Sequence, residues 1–213
     1  MSPDRAIRVA VVDDHPAIGL AIRAAAEVES AAGNPMEFVG AAQSLEDARE
    51  LMEGPMRPDV LLCDVQLHAG LDGLDAIDLA TQAGSKAIVL TSFARASLMR
   101  AAFERGAAGY LDKAMEPKDI LAAVRTVANG GTAFSSAALD AARSAPRMPS
   151  GRELEIVGQV QRGASSDEIG RQLGISTRTV ESHLRRLFDR YGVVSRTELA
   201  VFAMNQGWVD SGR

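Results

Sequence analysis

Cysteine is nearly missing from this chain. Cys63 stands alone, which excludes an intrachain disulfide and a Cys-rich zinc site. No apolar run approaches the ~20 residues of a membrane span. Behind Met1-Ser2-Pro3-Asp4-Arg5 there is no apolar signal core. A reduced, cytoplasmic setting is therefore the expectation. Strong positive charge is missing too. Residues 1–148 carry fourteen Lys+Arg against twenty Asp+Glu, and residues 149–213 carry nine against eight. Any nucleic-acid role must rest on where arginines point, not on bulk charge. No internal repeat or low-complexity tract appears beyond mild alanine richness.

What is present is a set of four short apolar runs, each ending on chemistry. Ile7-Arg8-Val9-Ala10-Val11-Val12 runs into Asp13-Asp14. Val60-Leu61-Leu62-Cys63 runs into Asp64. Ala87-Ile88-Val89-Leu90 runs into Thr91, and Gly109-Tyr110-Leu111 leads to Asp112-Lys113. Strand candidates are 6–13, 36–41, 59–64, 87–91 and 108–112. Helical stretches at 16–29, 44–53, 73–82, 95–106 and 117–129 separate them. Pro117 suits a helix first turn, and Asn129-Gly130-Gly131 a helix stop. This alternation predicts an α/β domain over 5–131, a five-stranded parallel sheet with helices on both faces. In such sheets ligands sit beyond the carboxyl ends of the strands. Residues 132–148, rich in Ala, Ser and Pro, are expected as a linker with a helical turn or more around 136–143.

Residues 149–213 show no strand pattern and are expected as a separate all-α domain. Leu154, Ile156, Val157 and Val160 have helical spacing before Gly163. Ser165 and Glu168 make a capping box, Gly174 ends that helix, and Ser176 or Thr177 starts a third. The third carries Val180, Leu184, Leu187, Phe188 and Tyr191 on one face. A fourth runs from Arg196 to Asn205. A short helix, a turn near Leu173-Gly174-Ile175-Ser176 and a longer helix make a helix-turn-helix.

The strand-end residues suit phosphoryl transfer to a carboxylate. Asp64 can attack, and Asp13, Asp14 and Asp64 can supply hard oxygens to Mg²⁺. Lys113 can pair with phosphoryl oxygens, and Thr91 can donate a hydrogen bond to the acyl phosphate. A new charge of roughly −2 held there can pull a neighbouring loop. His15 reads as a helix-start residue, His68 as a solvated loop residue, Cys63 as core and Trp208 as a cap on the second domain's core.

With these residues in place the chain resembles the NarL/FixJ (LuxR-type) response regulators of two-component systems. Asp13-Asp14-His15-Pro16, Asp64, Asp72-Gly73, Leu90-Thr91-Ser92 and Gly106 to Lys113 resemble a flavodoxin-like (CheY-like) receiver. Gly163 to Ile169 and Ile175 to His183 resemble a LuxR-type helix-turn-helix. The resemblance implies Asp64 as phosphoacceptor, and a metal set of Asp13, Asp14, Asp64 and the Gln66 carbonyl. It further implies Thr91 and Tyr110 as switch residues, Lys113 on the phosphoryl group, and a sensor histidine kinase as donor. Two departures stand out. Leu67-His68 occupies the family's Met-Pro, and Gly73 comes one residue later than usual, so the loop after Asp64 is longer and lacks a stiffening proline.

Burial of Val180, Leu184, Leu187 and Phe188 turns Arg178, Glu181, Ser182 and Arg185 outward at three- and four-residue spacing. The resemblance assigns base contact to these four. Thr177, Thr179, His183, Arg186 and Arg190 suit phosphates. Glu181, often lysine in the family, weakens non-specific attraction. The fourth helix is expected to expose Ala200 and Ala203 and to contribute to a homodimer that reads two half-sites about one helical turn apart on double-stranded DNA. The main expectation is a transcription regulator switched by phosphorylation of Asp64. The alternative is a phosphorylation-independent DNA binder whose receiver only dimerises. An appended effector enzyme is disfavoured, since 149–213 has no Gly-x-Ser-x-Gly and one histidine.

Overall fold

The computed structural model describes residues 5–67, 73–92 and 95–209. His68 and Asp72 lie outside them. Two compact units divide the chain, 1–143 and 144–213.

In the first unit, strands β1 (Ile7–Val12), β2 (Met36–Ala42), β3 (Val60–Asp64), β4 (Lys86–Thr91) and β5 (Gly109–Asp112) form one sheet. All neighbours are parallel, in the order β2-β1-β3-β4-β5. Helices α1 (Pro16–Ala31), α2 (Leu45–Glu53), α3 (Gly73–Gln82), α4 (Ala96–Glu104) and α5 (Pro117–Ala128) connect them. α1 packs with α5, and α2 with α3, which meets α4. Covering both faces explains why β3 is buried at every position and reads as an unbroken apolar run. Val9, Val11, Leu62, Ile88 and Leu90 meet Ile22, Leu121 and Val124 in one core. Pro16 and Pro117 occupy helix first turns, where the missing N–H costs nothing.

Register decides which side chains gather at the carboxyl edge. Val12 pairs with Cys63, so Asp13 and Asp64 come level one residue further on. Asp64 pairs with Leu90, and Thr91 with Asp112, which puts Thr91 and Lys113 along the same edge.

The stretch expected as a linker holds α6 (Ser136–Ser144), opened by the Ser135 hydroxyl accepting from the Ala138 N–H at 3.1 Å. The second unit is helical: α7 (Gly151–Gln161), α8 (Ser166–Leu173), α9 (Thr177–Tyr191) and α10 (Arg196–Gln206). Ser165 and Glu168 form the expected capping box, and Ser150 and Glu153 form a second on α7. Ser176 caps α9 by accepting from the Thr179 N–H. Ile156, Ile169, Val180, Leu187 and Leu199 are fully buried. Trp208 sits beside Tyr191 and Phe202, with ring centroids 4.8 and 5.4 Å away.

Ala203 departs from expectation: it is fully buried, and Val201 is the exposed apolar residue of α10. Ala203 lies four residues after the buried Leu199 and so shares its face.

Glu153 ties this unit together. It accepts from the Ser150 N–H at 2.9 Å and from both Arg190 terminal nitrogens at 3.0 and 3.1 Å. Burial pushes its carboxyl up, but the Ser150 and Arg190 hydrogen bonds outweigh it and hold the group below the ordinary glutamate range. A carboxylate made more acidic by folding stabilises the fold above its unfolded pKa and stops doing so as pH falls through its folded one. Glu153→Gln is expected to cost about 1–2 kcal/mol at neutral pH, a value reduced because Arg190 is half-exposed. The gap from wild type should close as pH falls through the carboxylate range. Thermal melts followed by the fluorescence of Trp208, the one tryptophan, measure this.

Candidate functional site

The carboxyl edge of the sheet holds two buried carboxylates and a partly buried ammonium. Lys113 Nζ lies 2.7 Å from Asp13 Oδ2 and 2.7 Å from Asp64 Oδ2. Asp13 is 3 % exposed and Asp64 6 %. Lys113 donates an aligned hydrogen bond to Asp64. Asp13 Oδ2 is buried and accepts no well-aligned hydrogen bond, so its contact with the ammonium is one of charge. Asp13 Oδ1 accepts from the His15 N–H at 2.9 Å, and Asp64 Oδ1 from the Gln66 N–H at 3.3 Å.

Two anions around one cation leave an uncompensated negative charge in a poorly solvated place. Burial pushes the Asp64 carboxyl up, and Lys113 only partly offsets this. For Lys113, burial alone would push the ammonium down, but its close contacts with Asp13 and Asp64 and their negative charges prevail and hold its pKa above the ordinary lysine value. The site therefore has room for more positive charge. Asp13, Asp14 and His15 each offer one ligand atom within 4.8 Å of the others. Asp64 is not part of that cluster and meets Asp13 through the shared ammonium. Carboxylate oxygens, one of them buried without an aligned donor, fit a hard divalent cation such as Mg²⁺. His15 occupies the N-cap of α1, as expected of a helix-start residue, and its Nδ1 lies 2.7 Å from Asp14 Oδ1.

Thr91 is buried at 2 % exposure. The Tyr110 hydroxyl hydrogen-bonds with its side chain and with the Arg95 backbone. Burial pushes that phenol up to about 12, so it stays neutral. Tyr110 thus faces inward with Asp64 unmodified.

Gly73 fixes the approach of α3 to the site. A Cβ there would stand 1.6 Å from the Asp64 carbonyl oxygen and 2.8 Å from Val65 Cα. The first turn of α3 is pressed against the backbone of the central acid, which only glycine allows. Leu67, in the family's methionine position, is buried at 1 % exposure.

In the second unit Val180, Leu184 and Leu187 face inward, and Phe188 is half-buried. Arg178, Glu181, Ser182, Arg185 and Arg186 are exposed, and Thr179 and His183 half-exposed. The Ser182 hydroxyl donates to the Arg178 carbonyl at 2.8 Å, and Arg186 Nε to the Ser182 carbonyl at 3.3 Å. The Thr177 hydroxyl donates to Asp167 at 2.5 Å, fastening α9 to α8 across the turn. Arg190, expected to flank a phosphate, is instead committed to Glu153.

Residues 9–125 match the family described as the response regulator receiver domain. Residues 150–203 match the bacterial regulatory proteins of the luxR family. Transcriptional regulatory protein MctR of Rhizobium johnstonii is 32 % identical over 95 % of this chain and 95 % of its own. LiaR of Bacillus subtilis is 31 % identical over 92 % and 96 %. Among solved structures, the DNA complex of the two-component response regulator RcsB is similar in fold, with a TM-score of 0.57 and 19 % identity over 95 % of this chain and 99 % of that one.

Lys113→Ala leaves two carboxylates facing each other in a buried site. It is expected to destabilise the first unit by about 3 kcal/mol at neutral pH. Adding Asp64→Asn should return most of that loss. Urea unfolding followed by circular dichroism reads both effects, and a neutral Lys113→Ala would show that the ammonium does not hold the acids together.

Proposed function

The chain belongs to the response regulators that join a receiver to a LuxR-family DNA-binding domain, and from that membership we propose a transcription switch thrown by phosphorylation of Asp64. The observation that carries this reading is the shared Lys113 ammonium, 2.7 Å from both Asp13 and Asp64 at one sheet edge, with Thr91 buried at the end of the adjoining strand.

Asp64 is the phosphoacceptor. Its carboxylate oxygen forms a bond to the phosphorus of a phosphohistidine on a sensor kinase as the P–N bond breaks, and the imidazole leaves. Asp13, Asp14, Asp64 and the Gln66 carbonyl are the residues that would hold Mg²⁺, which supplies charge neutralisation and orientation of the phosphoryl oxygens when bound. Lys113 turns from Asp64 Oδ2 to those oxygens and offsets their charge. Thr91 donates its hydroxyl hydrogen to the phosphoryl group. With that one hydrogen committed, Thr91 can only accept from Tyr110, which keeps the ring inward.

The second unit binds double-stranded DNA through α9. Arg178, Glu181, Ser182 and Arg185 read base edges in the major groove, where arginine suits guanine and a carboxylate accepts from cytosine. Thr179, His183 and Arg186 lie at the flanks on phosphates. Because Ser182 spends its hydroxyl hydrogen within the helix, it serves as an acceptor or a passive contact. The DNA-bound form is a homodimer, with Val201 rather than Ala203 as the apolar residue α10 presents. The three parts are a receiver over 5–131, a connection over 132–148 and a reading domain over 149–213. The setting is the cytoplasm; among the described residues no helix is long and apolar enough to cross a membrane.

A small-molecule phosphodonor with Mg²⁺ should tighten wild-type binding to a selected duplex by about tenfold, within the usual range of coupling between two sites. Asp64→Asn should abolish that response and leave basal binding intact. An equal response in the variant, measured by fluorescence anisotropy at fixed salt, would refute the switch.

A further inference from the structure

The chain leaving the first unit does not simply depart from the sheet. After α5 it turns back, and Ala133 forms a parallel β-bridge with Gly109 on the outer edge of β5. The Ala133 N–H donates to the Ala108 carbonyl at 2.8 Å, and the Tyr110 N–H donates to the Ala133 carbonyl at 3.1 Å. Gly109 makes this possible: a Cβ there would stand 2.8 Å from the Ala133 Cβ and 3.2 Å from its carbonyl oxygen. The next residue, Phe134, packs edge-on against Phe103 of α4, with ring centroids 5.7 Å apart at 76°. Arg100, also on α4, donates to the Arg143 carbonyl in the last turn of α6 at 3.3 Å. Residues 133–143 are thus fastened to the sheet at β5 and to α4 at two points.

The fastening meets the switch at one residue. Tyr110 gives its backbone N–H to this segment and its hydroxyl to the bond with Thr91. A phosphoryl group on Asp64 makes Thr91 an obligatory acceptor for Tyr110. That locks the ring and steadies the strand whose edge carries Ala133.

We propose that residues 132–143 form a strap seated on β5 and α4, and that Tyr110 passes the state of Asp64 to it through their shared backbone hydrogen bond. The proposal rests on Asp64 as the phosphoacceptor. Loading the receiver tightens the strap and so sets how the reading domain is presented.

Hydrogen exchange on the full chain, with and without beryllofluoride and Mg²⁺ as an acyl-phosphate mimic, tests this. Amides in peptides covering 87–92 and 130–143 should both slow, the second by about tenfold. Slowing at 87–92 with none at 130–143 would overturn the strap alone. No change at either would overturn the phosphoacceptor reading and the strap with it. Phe134→Ala removes a partly exposed ring contact and leaves every site residue in place. It should keep the slowing at 87–92, lose it at 130–143, and no longer raise DNA affinity on loading. A variant that responds on DNA as wild type does would overturn the strap as the route.

Discussion

One ammonium between two buried carboxylates holds the chemistry of this protein in place. Lys113 stands at contact distance from Asp13 and Asp64, which are nearly inaccessible to water. Remove the cation and like charges oppose each other where solvent cannot screen them. Keep it and the site still carries an excess of negative charge, a setting that fits a hard divalent cation. The apolar strands raise the stakes. By burying Val12, Leu62, Cys63 and Leu90 they draw the edge residues away from water, and burial gives each charge its weight.

Short, directed contacts lead outward from this site. Thr91 ends the strand beside Asp64, and Tyr110 meets its side chain from the next strand. A hydroxyl has one hydrogen to give, so a change of acceptor at Thr91 changes what it can do for Tyr110. No large displacement is needed at the start, because packed elements respond to small biases by changing population. In the second unit a different ion pair does mechanical work. Glu153 joins the start of α7 to the end of α9, and Asp167 joins α8 to the start of α9. Helix α9 is thus held at both ends, which steadies its exposed face.

Much of this was legible before the structure, because parallel strands buried on both faces announce themselves as apolar runs and end on the residues that matter. The caps at Ser165 and Ser176 were equally plain, since they follow from local hydrogen bonding. What periodicity could not show was tertiary partnership. Arg190 has the spacing of an outward residue, but its partner lies 37 residues away on another helix. Ser150 and Glu153, three residues apart, carry a capping-box signature that the sequence does show. A side chain as small as that of Ala203 fits either face of a helix, and only its four-residue spacing from Leu199 puts it inside. Gly73 looked like a motif letter, whereas its contact with the Asp64 carbonyl makes it part of the site's geometry.

The central claim is that one side-chain oxygen, on Asp64, receives the phosphoryl group. Borohydride reduces an acyl phosphate on aspartate to homoserine, which marks the modified position permanently. Peptide mapping of the full chain after phosphodonor treatment and borohydride reduction should find homoserine at position 64 and aspartate at 13 and 14. Homoserine at 13 or 14, or aspartate retained at 64 while DNA binding still responds to the donor, would contradict the account.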